Sequence, residues 1–331
     1  MRSKRLLLVH HHRSNHPDRN LSQSNKNVLN QNARAVRLLV IGLRQKKKTR
    51  SNDMTVTTNK LLPFVVTRQY KIFADACDYV RQKQKMGLIH GEAGSGKSSA
   101  AHQYVAAQPL NPLNGQSAVF YFELEQTDKT DRAFYNAFVG ELLREEPGNV
   151  TAKVAANETR RLLKKYQYEF IIIDEFQFLQ DSGLEAVRTL WDKTGIPILL
   201  ITMTGFTGIL KKQRHLQLSS RIVRWQRFDG LTDKQIKRDL LPNVSTHSHI
   251  SFQSDQEDAT AIVEALMKTT TGNFRRIVSV LEQADELIEL SKIDNERAIA
   301  AGKKEIPAIL DFDVELIHEA AAMCSDADPG E

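Results

Sequence analysis

The stretch GLIHGEAGSGKSSA, residues 87–100, decides the fold. Its spacing is G-x-x-x-x-G-K-[ST], with Gly91, Gly96, Lys97 and Ser98 at the four defined places. The pattern has a physical mechanism. Glycines let the backbone curl so that successive N–H groups point inward at phosphate oxygens, and the helix that follows turns its positive dipole end to the same anion. Across Gly91, Glu92, Ala93, Gly94, Ser95, Gly96, Lys97, Ser98 and Ser99, the loop is expected to cradle the β- and γ-phosphates of ATP. Lys97 adds a mobile full charge. Ser98 offers a hydroxyl to Mg²⁺, which takes oxygen ligands and keeps several waters. The flanks agree: MGLIH (86–90) is short and apolar like a buried strand, and SSAAHQYVAAQ (98–108) is rich in helix formers.

Further along, EFIIIDEFQFL (169–179) has four apolar residues ending in two carboxylates. This is how a buried central strand looks when it delivers acid groups to the carboxyl edge of a parallel sheet. Asp174 is expected to hold Mg²⁺, directly or through a water, and Glu175 to polarise the water that attacks the γ-phosphate. An Asp-Glu pair alone is commonly a solvated strand end. Following FIII, and 77 residues beyond Lys97, it reads as the catalytic partner of the loop.

The remaining pattern fills in an α/β domain. A helix with Phe73, Ala76, Cys77 and Val80 on one face precedes the loop, AVFYFEL (118–124) reads as a second strand, and helices follow at about 131–144 and in NETRRLLKKYQ (157–167). IPILLITMT (196–204) reads as a fourth strand and Val223 to Phe228 as a fifth. After Gly230 the patterns are helical only, a small lid. The expected division is a basic, unstructured tail at 1–53, a nucleotide-binding domain at 54–230, a lid at 231–325 and an unstructured end at 326–331. Met54 is an equally good candidate for the native start.

The charge is divided the same way. Residues 1–53 carry 13 Lys and Arg against Asp18 and Asp53, a net +11, whereas residues 54–331 carry 33 against 38, a net −5. The tail is suited to polyanions without sequence preference. No apolar run approaches the ~20 residues that cross a bilayer, and the brief apolar stretch near Met1 is too short for a secretory core. The two cysteines, Cys77 and Cys324, have no partner at metal-ligand spacing, so a reducing cytoplasm is expected.

A strand between the two motifs points to nucleotidases whose sheet inserts a strand between the phosphate-loop strand and the acid strand, the arrangement shared by AAA+ proteins, with IPILLITMT on the other side. With GEAGSGKSS (91–99), IIIDEFQFL (171–179), LSSRIVRWQRFDGLT (218–232) and TGNFRRIVSVLEQA (271–284) in that order, the chain resembles AAA+ ATPases of the initiator type. More narrowly, it resembles the transposition regulators typified by TniB, TnsC and MuB. The resemblance spans about residues 60–322 and implies a five-stranded parallel sheet with a C-terminal helical lid. It also implies an arginine finger at Arg221, reaching a neighbouring subunit's nucleotide, and a second sensor at Arg275, with Arg276 as the competing choice. The first sensor falls at Thr202 or Thr204, although the register also allows Met203, where the family has Asn or Thr.

The resemblance implies an ATPase that assembles as a ring or filament around duplex DNA and recruits or activates a transposase, together with a target-selection protein. Thr127, Lys129, Thr130 and Arg132 occupy the loop after the second strand where such regulators meet DNA. The same loop also reads as a helix cap, with Asp128 or Thr130 accepting N–H bonds and Lys129 solvated. Two other functions stay open: a helicase loader or replication-type AAA+ ATPase, and a nucleotide-dependent scaffold that hydrolyses ATP barely or not at all.

Overall fold

The computed structural model describes residues 64–302 and 308–326. The tail read at 1–53 and residues 327–331 lie outside the described residues.

The chain enters through α1 (Arg68–Lys83), whose first turn is capped by Thr67, its side chain accepting the Tyr70 N–H. Then follow β1 (Met86–His90), α2 (Lys97–Ala106), β2 (Val119–Glu123), α3 (Asp131–Leu143), α4 (Ala152–Lys165), β3 (Phe170–Asp174), α5 (Asp181–Thr194), β4 (Ile198–Thr202), the short α6 (Phe206–Leu210) and α7 (Leu216–Ser219), and β5 (Ile222–Arg227). The five strands form one parallel sheet in the order β2-β3-β4-β1-β5. One strand does separate the phosphate-loop strand from the acid strand, but it is β4, which corrects the expectation that IPILLITMT lies on the other side; β2, adjacent in sequence, lies at the edge. Burial explains the choice: β3 and β4 are buried at all five residues, whereas β2 and β5 carry exposed positions that only an edge tolerates.

The strand period of two divides the core. Ile171, Ile173, Leu200 and Leu88 face α3, α4 and α5 in one apolar layer with Phe134, Phe138 and Leu163. Phe170, Ile172, Leu199 and Ile201 face α1 and α2 in another, with Phe73, Val80, Ala101 and Tyr104. Parallel strands covered on both faces place all their carboxyl ends on one rim, where the loops after β1, β3 and β4 converge.

The lid has its own apolar cluster beginning at Leu231. Its helices are α8 (Asp233–Gln235), continuing through a π turn at Ile236–Leu240 into α9 (Leu241–Ser245), then α10 (Ala259–Thr270), α11 (Phe274–Ala300) and α12 (Val314–Asp326). At the start of the lid the Leu231 N–H donates to the Gly272 carbonyl at 2.8 Å, holding the chain that leaves the sheet against the turn before α11. No helix among the described residues is long and apolar enough to cross a membrane.

Candidate nucleotide site

The loop between β1 and α2 is clamped at its start. Gly91 N–H donates to the Thr202 carbonyl at 3.3 Å, and a Cβ on Gly91 would lie 2.1 Å from the Phe228 carbonyl oxygen. Only glycine fits that approach. Gly94 and Gly96 take φ of +72° and +98°, the left-handed region that lets the chain double back before Lys97 opens α2. The Lys97 ammonium is buried and donates to the carbonyls of Gly91 (2.9 Å) and Glu92 (2.8 Å). Burial depresses its pKa, and the charges of Asp174, Glu175 and Glu92 oppose that shift. Ser98 is half-buried in the first turn of α2, while Glu92, Ala93 and Ser99 are exposed and Ser95 is buried.

Asp174 ends β3 and is fully buried. One carboxylate oxygen accepts the Tyr121 hydroxyl at 3.0 Å and the other accepts the Glu175 N–H at 2.7 Å. Tyr121 comes from the neighbouring strand β2, and its phenol is pushed strongly upward by burial and by the Asp174 charge. It stays a donor throughout the ordinary pH range. Its ring lies edge-on to His102 of α2, centroids 4.4 Å apart. Glu123 stands directly across from Asp174 in the β2–β3 register, and burial, with the Asp174 and Glu175 charges, raises its pKa.

Glu175 sits at φ +53°, an uncommon backbone for a residue with a side chain. Its carboxylate accepts from the amide nitrogen of Gln177. The amide oxygen of Gln177 in turn accepts the Thr202 hydroxyl at 3.0 Å and the Met203 N–H at 3.3 Å. Of the first-sensor candidates, Thr202 therefore connects to the acid pair. Met203 is 41% exposed, and the Thr204 carbonyl accepts from Thr207 in the turn that opens α6.

Arg275 is exposed and belongs to the lid. Its backbone N–H donates to the Gly94 carbonyl at 2.9 Å, and its charge is felt by Lys97. Arg276 donates its N–H to the capping side chain of Asn273. Asn273 also donates its amide to the Ala93 carbonyl at 2.7 Å, so the start of α11 is bonded to the phosphate loop at two consecutive residues.

Arg221 lies elsewhere. Its carbonyl accepts the N–H of Met86 at the amino end of β1, whereas the phosphate loop follows the carboxyl end. Five residues at ~3.3 Å each separate the two, roughly 16 Å. The guanidinium is forked onto Asp192 at 2.8 and 3.0 Å and lies over the Trp191 ring. Asp192 is held below the usual carboxylate range, chiefly by that bond.

In the loop after β2, Thr130 caps α3 by accepting the Ala133 N–H, and Asp128 is buried and accepts the Glu125 N–H at 2.9 Å. Arg132 turns back to the Val150 carbonyl and the Asn149 side chain. Thr127 and Lys129 are exposed. The cap reading thus describes Thr130 and Asp128, and Arg132 is occupied within its own subunit.

Tyr121, Gln177 and Asn273 were not picked out from sequence. Gln177 had a signal, standing three residues after Asp174 in DEFQ; Asn273 had one too, an N-cap residue immediately before a helical pattern. Tyr121 had none, because which strand neighbours β3 is a tertiary fact.

The donor set fits an Mg²⁺-nucleotide. A curled glycine loop leads into a ten-residue helix, one ammonium lies close by, and the hard oxygens of Ser98 and Asp174 belong to the same rim. Residues 80–210 match the family of AAA domains. A Staphylococcus aureus protein described as a potential ATP-binding protein is 25% identical over 252 residues, covering 70% of this chain and 91% of that protein. Among solved structures, the Aeropyrum pernix ORC2 protein in ADPNP and ADP complexes matches with a TM-score of 0.52 at 14% identity, over 79% of this chain and 68% of that one. The A. pernix ORC1 protein in complex with DNA matches with a TM-score of 0.50 at 15% identity, over 79% and 66%. With its five-stranded parallel sheet and C-terminal helices, the chain has the AAA+ fold, and its residues 80–210 are similar to the AAA-domain family.

Proposed function

We propose that this protein is an ATP-dependent DNA-binding ATPase of the transposition-regulator type. It assembles as a ring or filament on duplex DNA, presents that DNA to a transposase and a target-selection protein, and disassembles on hydrolysis. Each site lies between two copies of the chain. Lys97 and the loop N–H groups bind the phosphates, and Ser98 and Asp174 hold Mg²⁺, which when bound neutralises charge on the β- and γ-phosphates. Glu175 orients and polarises the attacking water. Tyr121 keeps Asp174 aimed at the rim, and Arg275 closes the lid side. Arg221 of the adjacent copy supplies the remaining positive charge; a guanidinium given in trans contributes ~10³- to 10⁵-fold in related phosphoryl transfers.

The observation that carries this reading is the position of Arg221. It is partly exposed beside the amino end of β1, on the opposite rim from its own loop, so a finger role for it calls for another copy's nucleotide and for release of its fork on Asp192. The DNA part of the reading draws support from the chain's exposed Lys129 and Thr127 and from the description of the ORC1 fold neighbour as a DNA complex. The test is sedimentation of the full chain with a non-hydrolysable ATP analogue, with and without duplex DNA, alongside ATP turnover. Assembly requiring both ligands, and turnover stimulated by DNA, support the reading. A protein that stays monomeric with both present overturns it.

A further inference from the structure

Among the described residues, Gln177 is the side chain that bonds both Glu175 after the acid strand and Thr202 at the end of β4. It lies in a 3₁₀ turn, Phe176–Phe178, directly after the acid strand, and the turn is anchored by Phe176, fully buried with its ring 5.8 Å from Phe206. From this fixed base the amide uses both ends. The orientation is dictated by the backbone: the Met203 N–H can only donate, so the amide oxygen must face β4, which leaves the nitrogen facing the Glu175 carboxyl group. The result is a directional chain of hydrogen bonds, from the Thr202 hydroxyl to the Gln177 oxygen and from the Gln177 nitrogen to the Glu175 carboxylate.

Resting on the ATPase reading above, we propose that Gln177 is a positioning residue: it ties Glu175 to the tip of β4, so that whatever engages Thr202 sets where the carboxylate points. Two features make the tie necessary. Glu175 follows the last residue of β3 and takes φ +53°, outside the extended backbone of the strand. Every other partner of the acid pair holds Asp174 instead: Tyr121 and the Glu175 N–H each occupy one Asp174 oxygen. Gln177 alone among the described residues bonds the Glu175 side chain. A neutral amide orients a carboxylate without the charge that would pair it permanently.

The test uses the full chain with Gln177→Met, which keeps side-chain length and removes all three bonds, and Gln177→Glu, which keeps the acceptors for Thr202 and Met203 but removes the donor to Glu175. Nucleotide affinity is measured with a fluorescent ATP analogue, turnover as kcat and KM separately, and amide hydrogen exchange at Met203 in the nucleotide-free protein. Both variants are expected to lower kcat by ~10-fold or more with KM and affinity within about threefold, the signature of lost orientation rather than lost binding. Exchange at Met203 should accelerate in Gln177→Met and match wild type in Gln177→Glu. Thr202→Val should lower kcat alone and add nothing on top of Gln177→Met. Unchanged or raised kcat, affinity falling in step with kcat, or independent multiplication of the Thr202 and Gln177 effects would overturn the proposal while leaving the ATPase reading intact. A wild-type protein that binds ATP without turning it over overturns both.

Discussion

The backbone N–H of Arg275 donates to the Gly94 carbonyl at 2.9 Å, which fastens the first turn of the lid's longest helix to the outer side of the phosphate loop. Gly94 leaves no room for a side chain there, since a Cβ would lie 2.6 Å from Asn273 Oδ1. The lid is thus bonded to the phosphate loop by one backbone contact and by the Asn273 side chain on Ala93, the route by which a loop holding a nucleotide is expected to sense the lid.

Asn273→Ala tests that coupling. The substitution removes a helix cap, which costs about 1 kcal/mol, and the bond to Ala93, which contributes about as much. A melting temperature lowered by a few degrees is expected, with KM for ATP raised and kcat changed less. An unchanged KM in a destabilised protein would show that the lid contact stabilises the fold without reporting to the nucleotide.

Lys97→Ala and Glu175→Gln should fail in different ways. Lys97 is a buried cation held by two loop carbonyls in the field of three carboxylates, so its loss should abolish detectable nucleotide binding. Glu175→Gln should leave affinity near wild type and lower turnover by ~10²- to 10⁴-fold, the usual contribution of a general base. Equilibrium binding set beside turnover separates the two, and on DNA the Gln variant should trap long assemblies.

Much of this site was legible in the sequence because it depends on local spacing. The loop, the acid pair and the apolar strands on both sides are each continuous in the chain, and the helix at 131–144 was placed within a residue of Asp131–Leu143. Strand order was only partly legible: that a strand would be inserted followed from the motif class, but that β4 and not β2 fills the place depends on which strand is apolar along its whole length. Tyr121, Gln177 and Asn273 act across the rim, between segments 25 to 180 residues apart in the chain, and no period in the sequence records such a pairing.

Arg221 lends itself to subunit mixing. Arg221→Ala should leave the isolated chain nearly as stable, since a partly exposed ion pair contributes ~0–1 kcal/mol, yet reduce turnover at least ~10³-fold. Mixed with Glu175→Gln chains, which are inactive for a different reason, it should regain activity at interfaces that combine an intact Glu175 with an intact Arg221. No recovery on mixing would place Arg221 in a structural role.

Acid titration gives the same pair a second readout. Asp192 and Glu185 are held below the usual carboxylate range by Arg221 and Arg188 respectively. A depressed folded-state pKa means stability that is present above the unfolded value, ~4, and is lost as pH falls through the folded one. Stability should therefore be flat from neutrality to about pH 4 as far as these groups are concerned and fall below it. Arg221→Ala should move the Asp192 midpoint upward, read by carboxyl carbon NMR, and make the acid loss shallower.

The loop after β2 combines two jobs in adjacent residues, and substitutions can divide them. Thr130 caps α3, so Thr130→Ala should cost about 1 kcal/mol of stability, with any effect on DNA secondary to that loss. Lys129 is exposed, and its carbonyl, not its side chain, is what the fold uses, accepting the Gln180 N–H at 2.9 Å. Lys129→Glu should leave the melting temperature unchanged, weaken duplex binding for every sequence alike, and reduce the slope of log affinity against log salt by about one for the lost phosphate contact. Equal affinity and an equal salt slope in the Lys129 variant would remove this loop from the DNA interface and leave it as a helix cap.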